Sequence, residues 1–180
     1  MSKIFSGILV SLVVLTVVAS CKKKDSDAKK SQRAMVGRLA PDFSLLDETG
    51  VIRKLSDYRG QKVVLYFYPK DFTTGCTKQA CSLRDNFEIY RENNIAILGV
   101  SYDSVEKHKK FKETHHLPYP LLSDSNHAVA KKYGANRGVL GYFMPSRMTF
   151  LINEQGVIVQ ILTKIDIAKQ ADQILSGFKK

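Results

Sequence analysis

Three features of the sequence predict an α/β three-layer domain. Val63–Tyr68 and Ile95–Ser101 are unbroken apolar runs, rich in β-branched and aromatic residues, which reads as strands buried on both faces. The stretches between and after them carry apolar residues at helical spacing, so strands alternate with helices. The chain then closes with a hairpin, turned at Glu154-Gln155-Gly156, and a final amphipathic helix.

In chain order, the first segment stands apart from this domain. Lys3 gives a small basic start, and Ile4–Ala19 is nearly all apolar. That run is shorter than the roughly 20 residues that span a bilayer, and it fits the apolar region of a signal peptide. Val18-Ala19-Ser20-Cys21 resembles a bacterial lipoprotein cleavage box, with Cys21 as the lipidated N-terminus of the mature chain. An uncleaved N-terminal anchor helix is the alternative. Either reading tethers the protein to a membrane, and the lipoprotein reading puts the domain outside the cytoplasm. Several acyl chains anchor stably where one does not.

The expected organisation is thus a signal peptide over 1–20, a lipidated cysteine and basic linker over 21–35, and one domain over 36–180. Lys22–Arg33 holds six basic and two acidic residues with no apolar periodicity, and reads as a solvated spacer. Basic residues there also favour anionic headgroups. The formal charge of +11 does not argue for nucleic acid. Much of it lies in this spacer and scattered over helices, without a base-stacking aromatic pattern.

Within the domain, Ala40–Leu46 reads as a strand, Asp47–Gly50 as a turn and Val51–Leu55 as the hairpin partner. Ser56–Gly60 leads into the central strand. Pro69 stops that strand, and a polar loop carries Thr73, Thr74 and Gly75. A helix is expected over Cys76–Asn94, with Ala80, Leu83, Phe87 and Tyr90 inward. After the second buried strand, Asp103 and Ser104 offer caps, with Glu106 placed as in a capping box, for a helix reaching about His115. Val105, His108 and Phe111 share one face of it. His108, His115 and His116 are expected to be surface histidines, since no carboxylate or cysteine accompanies them to complete a metal site. Leu117-Pro118-Tyr119-Pro120 is a rigid connection, and Leu121-Leu122 an edge or third strand. Ser125 or Asn126 caps a short helix to Tyr133, ended by Gly134. Ala135–Pro145 is loop, in which Tyr142, Phe143 and Met144 either line a substrate approach or pack over the core. Met148–Asn153 and Val157–Leu162 form the closing hairpin, and Asp166–Phe178 the last helix.

The chemistry centres on Cys76. It falls in the first turn of a helix, just beyond the C-terminal end of a central strand, where α/β folds keep their sites. Free N–H groups there stabilise negative charge, and thiolate is the nucleophilic form of cysteine. A lone cysteine in that place reads more readily as a small buried hydrophobe. The surrounding residues change that balance. Pro69-x-x-x-Thr73-x-x-Cys76 matches the active-site signature of the peroxiredoxins, and the longer string from Tyr66 to Asp85, YFYPKDFTTGCTKQACSLRD, resembles their bacterioferritin-comigratory-protein or Q-type branch. The resemblance covers about residues 36–178.

That resemblance implies a thioredoxin-like fold with a central mixed sheet flanked by helices and an N-terminal hairpin. It implies a thiol peroxidase in which Cys76 attacks a hydroperoxide and becomes a sulfenic acid, with the Thr73 hydroxyl holding a peroxide oxygen and Pro69 and Gln79 shaping the site. Cys81 then resolves it, and a thioredoxin-like protein reduces the disulfide. Ser146-Arg147-x-Thr149-Phe150-Leu151-Ile152 resembles the strand that carries the family's arginine, so Arg147 is expected to hold the thiolate and the peroxide oxygens. No metal, haem, flavin or other cofactor is implied, and a monomer is expected. Two residues depart from the pattern. Thr74 stands where the branch usually has proline, and Gln79 where the family usually has a glutamate that supports the arginine.

Helix geometry adds a condition. Five residues along a helix place the two Cα atoms roughly 8–9 Å apart, whereas a disulfide needs about 7 Å or less. Helical turns near Cys76 must therefore unwind before Cys76 and Cys81 can join. Cys81 taken alone reads equally as a core cysteine. Three rival functions are weighed. A membrane-tethered disulfide reductase would want Cys-x-x-Cys, and here four residues separate the cysteines. A copper-delivery lipoprotein would want Cys-x-x-x-Cys and a distal histidine. The third is a non-catalytic interaction lipoprotein of the same fold.

Overall fold

The structure is a computed structural model that describes residues 34–136 and 139–179. The expected signal segment, Cys21 and nearly all of the basic linker lie outside those residues. Among the described residues no helix is long and apolar enough to cross a membrane.

The domain is built on a seven-stranded mixed sheet in the order β2-β1-β5-β4-β3-β6-β7. The N-terminal hairpin consists of β1 (Ser44–Asp47) and β2 (Ile52–Lys54). Its turn is organised by Asp47, whose carboxylate accepts from the Thr49 and Val51 N–H groups, the Thr49 hydroxyl and Arg53. At the centre, β3 (Lys62–Phe67) pairs in parallel with β4 (Ile95–Ser101) and antiparallel to β6 (Met148–Ile152). β7 (Ile158–Leu162) closes the far edge. β5 (Leu121–Ser123) is interior rather than an edge strand: it lies between β4 and β1.

Alternation along β3 divides the core. Val63, Leu65 and Phe67 face one cluster with Phe43, Leu55, Val129, Tyr133 and Phe150. Val64, Tyr66 and Tyr68 face the other with Cys76, Ala80, Leu83, Phe111, Tyr119 and Ile174. A strand with apolar side chains on both faces is stable only when both faces are covered, and each fully buried large side chain contributes about 1.5–3 kcal/mol. That requirement yields the three layers.

The expected single helix over Cys76–Asn94 is two. α1 spans Thr74–Asp85 and α2 spans Phe87–Glu92. Asn86 separates them: its backbone leaves helical geometry (φ −105°, ψ 15°) while its side-chain amide donates to the Ser82 carbonyl. Asparagine competes in this way with the backbone ladder, and apolar periodicity does not reveal it. α3 (Val105–His115) is capped by Ser104, which accepts from Lys107 N–H, and not by an Asp103–Glu106 box. Asp103 is drawn inward to bind Asp71 N–H, Ser101 and Lys107. α4 (Ala128–Tyr133) starts after His127, in left-handed geometry. Its first N–H groups go to Asp124 and Asn126 rather than Ser125. The last helix is shorter than expected. Asp166 caps a 3-10 turn at Ile167–Lys169, and α5 follows over Gln170–Gly177.

Tyr142 and Phe143 are 73% and 68% exposed, so they do not pack over the core. The largest departure concerns His108. It was expected at the surface and is fully buried. It lies on the inner face of α3 with Phe111, three residues away, and it is tolerated there because a buried carboxylate meets its ring.

Candidate active site

β3 delivers the chain to the site. After Phe67 and Tyr68 the chain turns at half-buried Pro69 and passes through Asp71 and Phe72 to Thr73. Thr73 takes extended geometry (φ −85°, ψ 143°) at the N-cap of α1. Its hydroxyl does not cap the helix. It donates instead to the Lys70 carbonyl at 3.0 Å. With its proton so engaged, the oxygen keeps lone pairs to accept from an O–H brought beside it.

Cys76 is the third residue of α1. The N–H groups of Thr74, Gly75 and Cys76 have no intrahelical acceptor, and no side chain caps them. The inner side of the helix, with Ala80 and Leu83, turns the cysteine toward Tyr66 and Tyr68. Cys76 consequently retains 2% of its accessible surface. A reactive thiol is expected to be open to solvent, and this one is not. The neighbouring Phe72, Thr73 and Thr74 form an exposed rim beside it.

β6 supplies the cation. Arg147 immediately precedes Met148, the β6 residue paired with Phe67 at the end of β3. Register between two central strands thus brings position 147 to the helix start. Arg147 Nη2 lies 3.3 Å from Cys76 Sγ, and Nη1 donates to Gln79 Oε1. Gln79 is fully buried and its Nε2 has no partner among the described residues. The guanidinium also lies against Gly75.

Cys76 and Cys81 are free thiols, and Cys81 is half-buried on the same helix. The backbone between them is tied down. Tyr119 donates its hydroxyl to the Ala80 carbonyl at 2.8 Å, and Tyr66 reaches the Tyr119 oxygen at 3.4 Å. Burial pushes the Tyr119 phenol well above its ordinary range, so it remains a donor. Below the loop, Asp71, Tyr68 and His108 form a buried hydrogen-bonded group.

Cys76, Arg147 and Gln79 are thus brought into direct contact, and Pro69 and Thr73 lie in the loop that leads to them. Sequence reasoning passed over Tyr68, Asp71, His108 and Tyr119. For His108 a signal was present, since it shares a face with Phe111. Asp71 and Tyr119 gave none, because His108 lies 37 positions from the one and Ala80 lies 39 from the other. No group of His, Cys, Asp and Glu suited to a metal ion occurs among the described residues.

Comparison with known proteins bears on family and fold. A model of the AhpC/TSA family matches residues 36–161. Peroxiredoxin Bcp of Bacillus subtilis (strain 168) is 42% identical over 149 residues, covering 80% of this chain and 94% of its own. The putative peroxiredoxin bcp of Coxiella burnetii is 43% identical over 136 residues, 73% of this chain and 90% of its own. Among solved structures, peroxidoxin BcpB from Mycobacterium tuberculosis superposes with a TM-score of 0.75 at 37% identity, covering 82% of this chain and 97% of its own.

Proposed function

Because the chain belongs to the AhpC/TSA family and to its Bcp/Q peroxiredoxins, a group of thiol peroxidases with a thioredoxin-like fold, we propose that it reduces hydrogen peroxide and organic hydroperoxides through Cys76, resolves the product with Cys81 and is recycled by a thioredoxin-like protein. The observation that carries this reading is the 3.3 Å contact between Arg147 Nη2 and Cys76 Sγ. A guanidinium and a helix N-terminus meeting at one sulfur stabilise the charge that develops on a leaving oxygen.

In the first step the Cys76 sulfur attacks the distal peroxide oxygen. An S–O bond forms and the O–O bond breaks. The alkoxide or hydroxide leaves and takes up a proton, so sulfur is oxidised by two electrons and the peroxide reduced. Thr73 accepts from the peroxide O–H, and Arg147 donates to the oxygens. In the second step the Cys81 sulfur attacks the sulfenic sulfur. An S–S bond forms, the S–O bond breaks, and the hydroxyl leaves as water with the Cys81 proton. An external dithiol then reduces the disulfide by exchange.

Cys76 is 2% exposed, and in this reading substrate reaches it past the exposed rim at Phe72–Thr74. The second step requires more, since α1 holds the two cysteines too far apart until it unwinds. The disulfide-reductase, copper-carrier and non-catalytic alternatives draw no support from the relatives reported above.

For residues 1–33 the proposal rests on sequence: a lipoprotein signal, lipidation at Cys21, and a monomeric domain tethered outside the cytoplasm. Membrane fractionation of the wild type tests the tether, which a wholly soluble protein removes, and mass spectrometry of the mature N-terminus tests lipidation at Cys21, which an unmodified Cys21 removes.

The peroxidase reading is tested by peroxide consumption with a thioredoxin system, with Cys76→Ser as control, and by mass spectrometry after one equivalent of peroxide. A Cys76–Cys81 disulfide and turnover that depends on Cys76 are expected. No oxidation of Cys76, or undiminished turnover in Cys76→Ser, overturns the reading.

A further inference from the structure

The loop that carries Thr73 and leads to Cys76 is held from below by groups that the peroxidase chemistry does not use. Their contacts converge on Asp71, which is 2% exposed. Asp71 Oδ1 accepts from the Tyr68 hydroxyl at 2.7 Å, and Oδ2 lies 2.8 Å from His108 Nδ1. The Asp71 N–H donates to Asp103 Oδ2 at 2.8 Å. The Tyr68 oxygen is also 3.3 Å from His108 Nδ1. Burial pushes the Tyr68 phenol well above its ordinary range, so Tyr68 is a donor here. His108 faces a carboxylate through Nδ1, which therefore carries a proton. Its Nε2 is buried without a partner among the described residues.

The next residue reinforces the hold. Phe72 has φ +62°, a left-handed geometry that a bulky side chain rarely adopts. Such geometry persists only where surrounding contacts over-determine it. Those contacts come from α3: the Phe72 ring packs edge-on against Phe111, centroids 5.1 Å apart, and lies 6.1 Å from the His115 ring. One face of α3, through His108, Phe111 and His115, thus clamps two consecutive residues of the loop. Thr73 follows directly, and α1 begins one residue later.

A buried polar contact of this kind adds little net stability, because desolvation offsets most of the attraction. Its value lies in favouring one discrete arrangement over others. We propose that Asp71 and His108 form a latch: they are positioning residues that hold the loop on α3 for the attack on peroxide, and they release it when the start of α1 unwinds to join Cys76 with Cys81. The inference rests on the peroxidase reading above and adds the element that separates its two conformations. The latch gains and loses no electrons. It acts only on the geometry in which sulfenic acid and thiol combine to disulfide and water.

The test measures the two steps separately, by rapid mixing with hydrogen peroxide and quenching for mass spectrometry. In Asp71→Asn, which keeps shape and removes charge, the peroxide step slows about tenfold and disulfide closure speeds up by about the same factor, the scale of one charged hydrogen bond. Sulfinic acid at Cys76 under excess peroxide falls accordingly. His108→Asn retains a donor toward Asp71 and shifts both rates in the same directions by less. Ile158→Val, in the opposite core cluster, serves as a control for general loss of stability and leaves the ratio of the two rates at the wild-type value. The latch is overturned if either variant keeps the wild-type ratio or if the control reproduces the shift. It is also tested in the unaltered protein: the His108 ring signals in NMR must differ between the dithiol and disulfide forms, and identical signals overturn it even if neither variant folds. Absence of both steps in the wild type overturns the underlying peroxidase reading, and the latch with it. A wild type that performs both steps while the variants keep its ratio removes the latch alone.

Discussion

Arg147 bridges two side chains of one helix, donating from Nη2 to the Cys76 sulfur across 3.3 Å and from Nη1 to Gln79. The helix that carries the nucleophile therefore also orients the cation that serves it, and β6 brings that cation from a remote part of the chain.

Replacing Arg147 should expose how much depends on this fork. Lysine retains the charge but has no planar pair of donors for Gln79 and sulfur together. Arg147→Lys is expected to lower the second-order rate with hydrogen peroxide by about 10²–10³, the usual loss for one preorganised donor to a developing anion. Stopped-flow measurement of the first turnover checks it. A change of less than threefold, on the order of 0.6 kcal/mol, would remove Arg147 from the chemistry.

Gln79→Glu should retain activity. The replacement keeps an oxygen toward Arg147 and removes the amide nitrogen that now lacks a partner. It also introduces a charge that holds the guanidinium more firmly. Complete loss of peroxide consumption in this variant would show that the glutamate draws Arg147 away from Cys76.

Cys81→Ser separates the two half-reactions. One equivalent of peroxide should still be consumed, with the sulfenic acid trapped by dimedone. Steady-state turnover with thioredoxin should drop to the background of Cys76→Ser. Undiminished turnover would exclude Cys81 as the resolving residue.

Exposure and reactivity should run in opposite orders. Cys81 is half-buried, whereas Cys76 is 2% exposed. In the folded, reduced protein a bulky maleimide is expected to label Cys81 first, while hydrogen peroxide oxidises Cys76 first. Peptide mapping after brief exposure to each reagent gives both orders, and preferential oxidation of Cys81 would contradict the assignment of the nucleophile.

Asp103 links the loop to acid stability. Burial disfavours its charge, but hydrogen bonds from Lys107, the Asp71 N–H and Ser101 outweigh burial and hold its carboxyl below the usual range. A folded-state value below the unfolded one means stability that is present above about pH 4 and lost as pH falls through the folded value. Asp103→Asn should therefore destabilise the domain by roughly 1–3 kcal/mol at pH 7, with the difference shrinking below pH 4. Urea unfolding at several pH values checks the sign, and a difference that grows on acidification would reverse it.

Much of this architecture is local in origin. The apolar runs of β3 and β4, Pro69 at the end of the central strand, and the small residues opening α1 act through neighbours in sequence, so period and composition reveal them. The motif around Cys76 and the string around Arg147 are legible for the same reason. What the tertiary structure alone decided depends on side chains meeting across distance. The break at Asn86 is the exception, a side-chain bond only four residues back that apolar period does not register. His108 became a core residue because Asp71, 37 positions earlier, meets its ring. Tyr119 reaches α1 only because β5 lies inside the sheet beside β4. Cys76 is covered because the inner face of α1 packs on Tyr66 and Tyr68. A chain read in order displays its own periodicity, whereas the burial of a polar group is fixed by what the completed fold sets against it.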